Sequence, residues 1–281
     1  MRTLLLLLVL AASAFAQIEG PRLGLVVDGE NIATVWGVPG VAVTAPLRTA
    51  SARLTVASPK QDYLLGVPAD GPGLLILSNS GRESADRLVL PETVGIDAIL
   101  FSPRGDTVAL RRGAVVDILA GLPQRADVVR SFDLSFAGDA PARISVADDG
   151  SAILAVLPGG DVFRLDANGL SRIPTDGVLA ASFFPRSRDA ALAYAEKIVV
   201  MRDNQSPLEF PAPGISAASV FATPRFVAAF DKDFFVVDIA SGHSTRLAPD
   251  GEVRSLQAAG DVIFFLTADG WSALDLTESE P

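Results

Sequence analysis

An apolar strand, a tight turn and a second apolar strand recur along this chain at intervals of about 36–45 residues. No other feature restricts the fold as much. The copies begin at Leu54-Thr55-Val56, Ile99-Leu100-Phe101, Ile144-Ser145-Val146, Ala181-Ser182-Phe183, Ala218-Ser219-Val220 and Val253-Arg254-Ser255. Each is followed by a third apolar run and a more polar fourth one. Val162-Phe163-Arg164-Leu165, for example, is turned by Asn168-Gly169 into Leu170-Ser171-Arg172-Ile173. Asn-Gly between such runs signals a hairpin, because both turn positions must tolerate positive φ. Val, Ile, Phe and Thr in short runs punctuated by Gly and Pro argue against helices. Four short antiparallel strands, a to d, per roughly 40 residues is the period of a propeller blade.

The second copy continues as Phe101-Ser102-Pro103-Arg104-Gly105. It resembles the Phe-Ser-Pro-Asp-Gly signature of bacterial WD40-like repeats, as in TolB-like and YVTN-type propellers. The resemblance implies an all-β single β-propeller and does not imply an activity. The Trp-Asp dipeptide of eukaryotic WD40 repeats is absent, so expectations from that group do not carry over.

Six a–b pairs predict six blades, with seven as the alternative. Leu23–Gly29 and Ile32–Val38 read as strands c and d with no a–b pair before them, while the C-terminal repeat has a, b and c but no d. The expectation is that the two ends pair in one closing blade, since open sheet edges invite aggregation. The first 16 residues carry Arg2, the apolar stretch Leu4 to Ala12, and Ala14-Phe15-Ala16 before Gln17, which is the pattern of a cleaved signal peptide. The domain reading is therefore 1–16 signal peptide and 17–281 propeller, with a periplasmic or secreted location. No later apolar run is long enough to span a bilayer, so no membrane insertion is expected.

Composition narrows the chemistry. With no cysteine, thiolate catalysis, Fe–S clusters and cysteine-ligated zinc are excluded, and disulfides do not assist the core. The sole histidine, His243, follows Ser241-Gly242 in a predicted c–d turn, and no Gly-x-Ser-x-Gly elbow exists to make it part of a triad. A net charge of −10 disfavours nucleic acid as a partner. Neither catalytic nor metal-binding residues nor a cofactor are assigned, and a monomer is expected. The phenylalanines of the later repeats and Trp36 and Trp271 read as packing.

The loop charges suggest a binding face. Loops a–b and c–d share one face of a propeller, and loops b–c and d–a share the other. The a–b loops carry Lys60, Arg104, Arg186, Arg188 and Arg225. The opposite loops carry Asp70, Asp139, Asp176, Asp231, Asp233, Asp250, Glu252 and Asp269. The reading is a non-catalytic protein- or ligand-binding scaffold whose basic face meets an acidic protein or glycan. The alternative is a calcium-dependent propeller hydrolase or lactonase with carboxylates gathered at the channel mouth.

Overall fold

A computed structural model describes residues 21–38, 41–78, 86–138, 143–203, 205–216 and 219–277. The expected signal peptide, residues 1–16, lies outside the described residues. Seven antiparallel sheets follow one another, each with its strands hydrogen-bonded in chain order. Their innermost strands lie side by side around a central axis, and that of the first sheet touches those of both the second and the last. The fold is a seven-bladed β-propeller.

Six inner hairpins form where the repeat places them. Ala52–Ala57 pairs with Tyr63–Pro68, Ala98–Phe101 with Thr107–Arg112, and Arg143–Val146 with Ile153–Val156. Ala180–Phe183 pairs with Ala190–Ala193, Ser219–Ala222 with Phe226–Phe230, and Ser255–Ala259 with Val262–Thr267. These are strands a and b of blades 2 to 7.

The N-terminal segment corrects both the blade count and the mode of closure. Arg22–Asp28 pairs with Asn31–Val38, which pairs onward with Val41–Thr49. They are strands a, b and c of blade 1, not strands c and d of the last blade. Blade 7 keeps three strands, ending with Gly270–Asp275, and among the described residues none pairs with blade 1. The wheel therefore has seven blades, not six. A two-residue Gly29-Glu30 turn stands in place of the longer a–b turn of blades 2 to 6, so this hairpin, read as strands c and d, lacks the mark of an inner pair. Its third strand is exposed from Val43 to Pro46, although Val41, Val43, Ala45 and Leu47 alternate in the sequence.

Apolar side chains fill every gap between blades. Second strands such as Ile153–Val156 and Ala190–Ala193 are buried at all positions because each faces a neighbouring blade on both sides. Outer strands such as Gly169–Ile173 stay mostly exposed and polar. Phe183 packs between blades 4 and 5, Phe184 and Phe235 between blades 5 and 6, and Phe226, Phe230 and Phe234 between blades 6 and 7. The expected aromatic core is thus the inter-blade core.

The ring closes through side chains. Val26 and Val35 of blade 1 meet Phe264 and Ala273 of blade 7, with Trp271 packed against them. Gln257 of blade 7 donates its side-chain amide to the Leu25 carbonyl, and the Leu25 N–H donates to Gln61 Oε1 of blade 2. One residue of strand a thereby joins three blades. Gly24 permits this approach, since a Cβ there would lie 2.8 Å from Gln61 Oε1 and 2.9 Å from the Phe264 ring. Between blades 1 and 2, Arg48 holds Asp86 through two bonds of 2.7 and 2.9 Å. Arginines near the start of strand a reach the next blade twice, Arg53 to the Ile96 carbonyl and Arg143 to that of Leu179.

Closure by packing makes the first and last blades interdependent. Phe264→Ala should cost about 3–5 kcal/mol and Gly24→Val about 1–3 kcal/mol in equilibrium urea unfolding. Wild-type midpoints for both variants would show that blades 1 and 7 do not form the seam described.

Candidate binding face at the channel mouth

The a–b turns of blades 2 to 6 share a proline at their second position in every blade but the fourth. In blade 3, Ser102 is fully buried and its hydroxyl accepts the Thr107 N–H at 3.2 Å, closing the hairpin. Pro103 fixes the first corner, and Gly105, at φ +67°, takes the left-handed corner. Thr107 donates its hydroxyl to the Ala147 carbonyl at 2.9 Å, tying the turn to blade 4. Ser58-Pro59, Phe184-Pro185 and Thr223-Pro224 occupy the same place in blades 2, 5 and 6.

Blade 4 has Asp148 where the others have proline. Its carboxylate accepts the Arg104 N–H of blade 3 and the Arg186 N–H of blade 5, each at 2.8 Å. Asp148 is only 8% exposed, so this is a buried bracket spanning three blades. Burial pushes its carboxyl above the usual carboxylate range, outweighing the Arg104 amide bond that favours the charged form.

The structure brings Lys60, Arg104 and Arg186 together. With Pro59, Pro103, Pro185, Pro224, Gly260 and Asp261 they line a depression of about 330 Å³ at the channel mouth. Arg186 also borders a second depression of about 500 Å³, with Arg188, Ser187, Asp106, Asp148 and Asp149. Arg225 lies in the blade 6 turn, where its guanidinium donates to Asp238 at 2.8 Å and stacks 4.8 Å over Phe226. That contact holds the Asp238 carboxyl down at about 2.

Charge on this face is interleaved rather than uniformly basic. Lys60 lies 2.7 Å from Asp106, Arg104 lies 3.8 Å from the same carboxylate, and Arg188 lies 3.7 Å from Asp149. Asp62, Asp189 and Asp261 occupy a–b turns as well. The opposite-face acids stand in b–c and d–a turns, except Asp139, which lies outside the described residues; Asp176 pairs with Arg172 and Asp233 with Arg246. The Asp148 bracket was not read from the sequence, although an Asp in a turn position otherwise held by Pro was a visible departure.

The single histidine can also be placed. His243 is exposed in the c–d turn of blade 6, and among the described residues its imidazole makes no hydrogen bond. Among the described residues no group of three His, Cys, Asp or Glu side chains is arranged to hold a metal ion. No helix among them is long and apolar enough to cross a membrane.

The fold and its channel mouth place the chain among β-propellers. Comparison with solved structures agrees: 93% of the chain overlays the structure of PorZ at a TM-score of 0.60 and 14% identity. PorZ is described as an essential bacterial surface component of the type-IX secretion system of Porphyromonas gingivalis. The overlay covers 36% of that chain, so this protein spans about a third of its length. Hydrazine synthase of Kuenenia stuttgartiensis overlays 61% of this chain and 55% of its own at 16% identity, with a TM-score of 0.43, too loose to bear on architecture. No family model and no curated protein sequence matches the chain.

Asp148→Asn replaces one of two acceptors with a donor facing an N–H, and should lower stability by about 1–3 kcal/mol at neutral pH. A raised folded pKa means that the native state takes up the proton before the unfolded chain does. The stability Asp148 contributes through that proton is therefore complete below 3.8, its ordinary value, and lost as pH rises through the folded value. The margin of wild type over Asp148→Asn should widen on acidification in urea titrations. A margin independent of pH would contradict the burial effect.

Proposed function

We propose that this chain is a non-catalytic binding scaffold that works outside the cytoplasm and engages its partner through the a–b face. The observation that carries this reading is the convergence of Pro59-Lys60, Pro103-Arg104 and Pro185-Arg186, with Pro224, around one channel mouth. Turns on four blades set apolar proline corners at one place and three of them add a cationic side chain, which suits recognition of a partner with exposed carboxylates. The PorZ overlay supports the scaffold reading at the level of architecture alone, because a fold does not specify a function. The N-terminal sequence pattern supports export. Phe101-Ser102-Pro103-Arg104-Gly105 supports a bacterial WD40-like repeat type. The metal-dependent hydrolase alternative gains no support from the carboxylates among the described residues.

Replacing Arg104, Arg186 and Arg225 together by Glu should abolish partner capture from a native periplasmic or secreted fraction. The same change at Arg172, on the opposite face, should leave capture intact. Equal capture by all three proteins would remove the a–b face from consideration.

A further inference from the structure

Three non-glycine residues among those described hold a left-handed backbone: Gln61 at φ +61°, Leu90 at +49° and Arg186 at +55°. Such positions oppose any side chain with a Cβ and persist where the surroundings enforce them. For two of them the side chain repays this within the fold. Gln61 accepts the Leu25 N–H that helps close the ring, and Leu90 packs into the core between blades 2 and 3.

Arg186 is different. Its side chain is exposed, and among the described residues its guanidinium makes no ion pair or hydrogen bond. Its N–H is fixed by Asp148, so the turn cannot relax to relieve the backbone. Glycine serves the left-handed corners of the neighbouring turns, Gly105 in blade 3 and Gly150 in blade 4, one place further along than Arg186. Glycine at 186 would suit the backbone better, and only the exposed guanidinium would be lost.

We propose that Arg186 is the principal contact for a carboxylate presented by an extended acidic peptide segment of a partner protein. This rests on the a–b face being the binding face. Arg186 borders both depressions and, among the described residues, is the cation there whose side chain makes no ion pair. Lys60 and Arg104 share Asp106, and Arg188 faces Asp149. An incoming carboxylate thus meets an undischarged guanidinium, whose planar fork matches it with two parallel bonds.

The surroundings select the kind of anion. Asp106, Asp149 and Asp261 border the same depressions and repel a densely charged chain such as a sulfated or uronate polymer. Isolated carboxylates separated by neutral residues avoid that repulsion. The four prolines offer short apolar walls for the methylene stem of a glutamate, and no aromatic ring lines either depression to stack on the flat face of a sugar.

The test uses the full-length protein and a short fluorescein-labelled, amidated peptide whose glutamates are spaced by Ser and Ala. Its Gln counterpart and oligogalacturonate serve as comparison probes. By fluorescence anisotropy the Glu peptide should bind and the Gln peptide should not. Arg186→Gly should weaken binding by about tenfold or more while raising the thermal midpoint, since it relieves the left-handed strain. Arg186→Lys should keep the wild-type midpoint and bind with intermediate affinity. Unchanged peptide binding by Arg186→Gly, or a fall in its midpoint, would overturn the proposal. Failure of wild type to bind the Glu peptide, or stronger binding of oligogalacturonate, would overturn it too. In those last two cases, loss of native capture by the Arg104, Arg186 and Arg225 triple variant would show that the face reading survives. Native capture unaffected by the triple variant would remove that reading as well.

Discussion

The structure depends on apolar contact between flat sheets that have no other means of burying their faces. Each blade leaves two apolar sides, and only a neighbour can cover them, so an open row of blades would expose one side at each end. Closing the row into a ring removes both. The seam between blades 1 and 7 has the smallest buried cluster of the seven gaps among the described residues, four side chains centred on Phe264. Gln257 adds a bond from blade 7 to the Leu25 carbonyl across that seam, and Gly24 lets the Phe264 ring approach closely. Among the described residues closure is by packing and side-chain bonds, with no strand exchanged between blades 1 and 7.

The ring turns a sequence repeat into a surface. Turns that lie about 40 residues apart in the chain become neighbours at one mouth, where the same turn chemistry sets the same corner on successive blades. Asp148 uses this proximity. As a proline substitute in blade 4 it is free to accept hydrogen bonds, and the Arg104 and Arg186 amides of the flanking blades supply them. The mouth is consequently a braced rim rather than a set of independent loops.

That rim also shows why loop charge is a coarse guide to a binding face. Five cations fall on a–b turns, yet most stand beside a carboxylate of the same face, because a solvated surface lowers its own field by pairing. What singles out Arg186 is the lack of such a partner combined with a backbone that resists any side chain. Resemblance to PorZ, at 14% identity, shows the fold alone.

The sequence by itself determined the all-β class, the six inner hairpins, the role of the phenylalanines and the face on which each turn falls. These follow from local rules: period-two apolar runs, Gly and Pro at corners, and alternation of turns between faces. It assigned the first hairpin to strands c and d, because Gly29-Glu30 carries none of the Ser-Pro chemistry of the a–b turns. Blade number, the seam at Phe264, the Asp148 bracket and the isolation of Arg186 were decided by tertiary structure alone. Each depends on which residues from distant repeats meet when the ring closes, and local patterning does not encode that distance.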